Sequence, residues 1–149
     1  MQNLHLQSEA GAGIAEYKLF SAGQVSAGTF FGSMLAGGYM LAENYTRLND
    51  AKKADSRLLR SILYYLLYVF SAVALMELPS GPWLAVGIGF IFVYKSEFKR
   101  EQEKGYSEHL AHGGGQCSNW LVAAICALNL VAYFSIAIIA AFVLELAGF

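Results

Sequence analysis

Glu43, Glu77 and Glu145 each border a long uncharged stretch. A carboxylate at bilayer depth is costly enough to imply an ion or proton path. All three also sit at the edges of their stretches, where acids that merely end helices belong. Glu77 and Glu145 would share one side, either as an outward acidic pair for a cation or as two interfacial acids. Glu43 can instead reach Arg47, one helical turn on. His109 and His112 are spaced i,i+3, so one helix face can carry both imidazoles, and Cys117 could join them around zinc. That spacing matches no recognised zinc motif, and Gly113, Gly114 and Gly115 intervene. Solvated histidines near a membrane surface are the expectation, with no metal and no cofactor.

Two further features concern helix contact. Asn129 lies deep in the last uncharged stretch. Its amide needs partners in lipid, so it should face another helix, where Gln24, Thr29 or Ser71 could bond it, or a substrate. Gly28, Gly32 and Ala36 recur every four residues and make a groove where a helix backbone can approach closely. The groove can serve packing within the chain, a second copy, or a ligand or hinge. No Gly-rich phosphate loop, nucleophile elbow or paired catalytic carboxylates occur, so the expectation is a non-enzymatic protein.

The elements that would carry these residues follow from hydropathy and charge. The chain has 149 residues, 56% hydrophobic and 14% charged. That is too little charge for the polar surface of a soluble domain, which carries about 25%. Uncharged runs from Leu19 to Ala42, Ser61 to Met76, Leu78 to Tyr94 and Gly113 to Leu144 predict an all-α membrane protein, a four-transmembrane-helix bundle in one domain. The spans are approximately 20–42, 60–78, 82–97 and 119–144. Pro79, Ser80, Gly81 and Pro82 divide the second from the third. Tyr17, Phe20, Tyr45, Trp83, Tyr94 and Trp120 fall at span ends, where amphipathic rings favour the interface.

Arg47, Lys52, Lys53, Arg57 and Arg60 form one basic cluster, and Lys95, Lys99, Arg100 and Lys104 a second; only Lys18 lies elsewhere. Placing both clusters inside gives cytoplasmic loops at 43–59 and 98–118 and both termini outside. An alternative makes the first segment re-entrant or surface-lying, which leaves three spans and a cytoplasmic N-terminus. No basic segment precedes the first apolar run, so no signal peptide is expected. Lys99–Glu103 and Glu97–Arg100 are spaced to pair, and Gly105 is placed to end the third helix. The acids among the bases argue against nucleic acid. The lipid bilayer is the expected partner, with a homo-oligomer or another membrane protein beside it.

The segment from Tyr17 to Tyr45 carries Gln24-Val25, Gly28-Thr29-Phe30, a Gly/Ala-rich turn, and Leu41-Ala42-Glu43-Asn44-Tyr45 before the basic loop. It resembles the opening of a group of small uncharacterised bacterial membrane proteins. Those often carry a proline in the Gly-rich part, where this chain has Ser33 and Met34. The resemblance implies the bacterial inner membrane and several helices. It supplies no activity and no catalytic residue.

Overall fold

The computed structural model describes residues 17–74 and 81–146, without the side chains of 70–74, 81–84, 137, 140, 141 and 143–145. Glu77, Pro79 and Ser80 therefore lie outside the described residues, as do the first sixteen residues and the side chains of Ser71, Trp83 and Glu145.

Ser21 opens the first helix, α1 (Ala22–Arg47). Its hydroxyl accepts the Gln24 N–H at 3.3 Å while the Gln24 side chain accepts the Ser21 N–H at 3.1 Å. This reciprocal cap satisfies two donors that the helix start would leave unpaired. The helix does not run straight. Ser33 has φ 78° and ψ 169°, a backbone region occupied almost only by glycine, and the chain reverses there. A straight helix of 26 residues would hold its ends about 39 Å apart. Instead the Asn44 side chain bonds both backbone groups of Phe20 at 2.8 Å.

Small residues let the two arms lie this close. A Cβ on Gly28 would sit 2.7 Å from Met40 Cε, and one on Gly37 would sit 2.9 Å from Tyr94 Cδ2 and run into Thr29. The straight crossing expected over 20–42 is thus a helical hairpin with its ends together. Each arm is too short for a hydrocarbon core of roughly 30 Å.

After Arg47 the chain turns within three residues. Asn49 has φ 62°, and Asp50 Oδ1 accepts the Lys53 N–H at 3.2 Å to start α2 (Ala51–Ala74). The loop expected over 43–59 is therefore helical on both sides of a tight turn. Ala54, Arg57, Ser61 and Tyr65, three or four residues apart, form the buried face of α2. α3 (Gly81–Glu97) passes into a single π turn (Phe98–Gln102) and then α4 (Glu103–Ala111). Gly105 lies within α4. The helix ends at Ala111, and Gly113, φ 81°, turns the chain so that the Gly114 N–H returns to the His109 carbonyl at 2.9 Å.

The wide turn also shifts the side-chain register, so the pairs Lys99–Glu103 and Glu97–Arg100 do not form. Glu97 turns inward to Arg57 and Arg100 pairs with Glu101, both at 2.8 Å. Two short strands, β1 (Lys18–Leu19) and β2 (Gly115–Gln116), pair in parallel beside the hairpin base. α5 (Asn119–Leu146) completes the chain.

The architecture is an all-α bundle with the hairpin at its hub. α2, α3 and α5 each pack mainly on α1 rather than on one another. Phe20, Val25, Met34, Met40, Leu41, Tyr65, Tyr94, Phe98, Val122 and Cys126 form the core between them. The outer faces are apolar too: Leu63, Leu66 and Leu67 on α2, Phe92 and Val93 on α3, and Leu128, Val131 and Phe134 on α5 are exposed. Among the described residues, α5 is the one helix long and apolar enough to cross a membrane, through Asn119–Ile136.

Candidate functional site

Two ends of the hairpin hold its polar groups. At the base, Asn44 is 1% exposed and makes three bonds: to Phe20 N–H, to the Phe20 carbonyl, and from Nδ2 to Gln102 Oε1 at 3.1 Å. Gln102 Nε2 donates in turn to the Leu41 carbonyl at 2.9 Å. The π turn is what aims Gln102 inward. Gln24 Nε2 donates to the Cys117 carbonyl at 2.7 Å and to Asn119 Oδ1 at 2.8 Å, which fixes the start of α5. Arg47 pairs with Glu43 at 2.8 Å, donates to the Lys18 carbonyl, and reaches Cys117 Sγ at 3.4 Å.

Charges gather beside this base. The Tyr45 hydroxyl donates to Glu101 Oε2 at 2.7 Å. That bond, with Arg100 second, holds the Glu101 carboxyl below its ordinary value. Burial first, then Glu101, pushes the Tyr45 hydroxyl well up. Arg57 is 2% exposed. It pairs with Glu97 and lies over the Tyr94 ring at 4.3 Å, while its Nε and Nη2 have no hydrogen-bond partner among the described residues.

At the tip, the reversal at Ser33 floors a partly open cavity of about 250 Å³. Thr29, Phe30, Phe31, Gly32 and Met34 of the hairpin line it with Tyr68 of α2, Ile88 and Phe90 of α3, and Asn129, Leu130 and Tyr133 of α5. No lining residue carries a formal charge. Ser33 Oγ accepts the Leu35 N–H at 3.3 Å and begins the second arm. Asn129 Nδ2 donates to the carbonyl of Ile125, its own helix, at 2.9 Å, and Thr29 to that of Val25 at 2.8 Å. No family model, curated protein or solved structure matches the chain.

The residues singled out from sequence divide between these ends. Gly28 faces Met40, Gly32 faces Ala36 and Cys126 of α5, and Ala36 is fully buried, so their groove is filled from within the chain. Asn129 lines the tip cavity beside Thr29, one of its suggested partners, without bonding it. Gln24 is committed to the base. Glu43 belongs to the base and Glu145 to the last turn of α5.

The candidate zinc residues do not converge. His109 stacks on Tyr17 at 4.6 Å with Nε2 3.1 Å from the Gly115 carbonyl, His112 Nδ1–H donates to the Glu108 carbonyl, and Cys117 adjoins Arg47. Burial pushes the Cys117 thiol up against the pull of Arg47. Among the described residues no three His, Cys, Asp or Glu side chains could share a metal.

Asn44, Arg57, Gln102, Ser33 and Tyr133 were not recognised as site residues. Arg57 had a signal, the Ala54/Arg57/Ser61/Tyr65 spacing. Gln102 had none, because a π turn leaves no mark in hydropathy.

Proposed function

We propose that the chain is a small, non-enzymatic integral protein of the bacterial cytoplasmic membrane. α2, α3 and α5 cross the bilayer around a re-entrant α1, and the protein works as a structural or interaction component through helix contacts. The antiparallel fold of α1 carries this reading. It returns Lys18 to the end that holds the other nine Lys and Arg residues, so all ten share one side, as cytoplasmic retention of basic segments requires.

Three further observations support it. Apolar side chains face outward on all three surrounding helices, over more surface than a soluble monomer leaves bare. Irregular backbone at membrane depth is tolerated where protein surrounds it, and the Ser33 reversal sits among three helices. The opening segment resembles small bacterial membrane proteins. The alternative, a transport path, is less favoured, because Glu43 is committed to an ion pair with Arg47 in the base.

Thiol labelling in intact cells tests the topology, using a variant whose own cysteines are replaced. Lys18→Cys, Asn49→Cys and Ser107→Cys should be shielded from an impermeant reagent, and Gly148→Cys labelled. Labelling of Lys18→Cys from outside restores four crossings.

A further inference from the structure

The tip cavity has properties that packing alone does not require. We propose that it binds a membrane-soluble, uncharged ring compound bearing carbonyl oxygens, the chemistry of a quinone headgroup. This deepens the reading above, since a bilayer-embedded chain meets such molecules already dissolved around it.

The lining sets the class. Phe30, Phe31, Tyr68, Phe90 and Tyr133 offer aromatic surface from four helical segments, which suits a planar ring. Without a charged residue, nothing there would compensate an ionised ligand for leaving water. The lining also has hydrogen-bond donors to offer. The Ser33 hydroxyl hydrogen, the second Asn129 N–H and the Tyr133 hydroxyl have no partner among the described residues. Asn129 Oδ1 and the Ser33 and Tyr133 hydroxyl oxygens add acceptor positions beside them. Three donors around one uncharged space fit a ligand whose polar atoms are carbonyl oxygens. At about 250 Å³ the cavity lies just below the roughly 300–1,000 Å³ of small-molecule sites, so it admits one ring with any tail left in lipid. A bare phospholipid chain would use none of the donors.

Gly87 supplies a direct test. It lines the cavity, and a Cβ there would meet nothing within 4 Å. Gly87→Phe therefore sets a ring at the cavity wall from a position where the first side-chain carbon has room. The probe is a photoreactive short-chain benzoquinone, used on the full chain in phospholipid nanodiscs. Wild type should show saturable labelling, displaced by the unlabelled quinone and mapped to peptides holding Tyr68 or Tyr133. Gly87→Phe should lose at least tenfold in apparent affinity. Asn129→Leu should lose roughly five- to tenfold, the worth of one or two uncharged hydrogen bonds. Leu128→Phe, on the outer face of α5, should match wild type. Equal labelling of wild type and both cavity variants, or labelling that never saturates, as for a lipid tail or simple partitioning, overturns the proposal. The cysteine topology above is read separately, so a failed ligand and a failed membrane arrangement are distinguishable.

Discussion

The two ends of α1 are built from opposite materials. The base holds Asn44, Gln102, Gln24 and Arg47 in bonds that link the hairpin to β1, the π turn and the start of α5. The tip holds aromatic rings around a cavity, with three donors that have no partner among the described residues. In the proposed arrangement α1 does not cross the bilayer and has to be anchored at one end, a task that falls to the base. The tip, relieved of that task, keeps a backbone conformation that serine adopts at a cost. Where polar groups are fully paired they position; where they are left over they are free to bind.

Asn44→Leu breaks this contrast most severely. It leaves the Phe20 N–H, the Phe20 carbonyl and the Gln102 side chain buried without their partner. Each such group costs roughly 1–3 kcal/mol, so a loss of about 4 kcal/mol is expected. Asn129→Leu at the tip should cost less than about 1 kcal/mol, since it removes one bond within a single helix. Thermal unfolding in detergent compares them. Equal losses would mean that base and tip are not distinct.

Glu97→Gln comes next. Arg57 would remain buried with its charge uncompensated, at about 3 kcal/mol. Adding Arg57→Met should recover most of it, because a buried ion pair is often no better than an apolar replacement. The same melting series reads this. If the double variant stays as unstable as the single one, Arg57 contributes more than the pair.

The sequence disclosed the helices better than their course. The uncharged runs located α2, α3 and α5, and the Gly28/Gly32/Ala36 spacing announced a close contact. The partner in that contact was hidden. The second arm of the same helix supplies much of it, and the reversal falls on Ser33-Met34, with no proline to mark it. Hydropathy reads a hairpin and a straight span alike, since both bury apolar residues. Lys18 is the one base outside the two clusters in sequence, and the reversal brings it back beside Arg47 of the first cluster. The π turn was silent, and with it the inward aim of Gln102. The role of Asn44 is equally silent, because its partners lie 24 and 58 positions away.

Ser33→Gly sharpens the tip side. Relief of strain at φ 78° is worth about 1–3 kcal/mol, and loss of the cap on Leu35 only a few tenths. The variant should melt later by about 1 kcal/mol equivalent. It also removes one of the three donors, so quinone labelling should weaken as stability rises. A stabilised protein that binds as tightly as wild type would remove Ser33 from the site while leaving the cavity.

The smallest effect is on pH, and it belongs to the base alone. Glu101 has its carboxyl lowered by the Tyr45 hydroxyl and then by Arg100. A carboxyl lowered in the folded state stabilises that state above its unfolded value, and the contribution fades as pH falls through the folded value. The window therefore lies below the ordinary carboxylate range. Glu101 is partly exposed, so solvent screens the gain and the loss is small. Melting points should fall slightly further on acidification for wild type than for Glu101→Gln, whose amide has no such proton to take up. The tip, with no titrating carboxylate or imidazole in its lining, should bind the quinone unchanged over the same window. If binding and melting fall together and Glu101→Gln spares both, the base governs the tip and the two ends act as one unit.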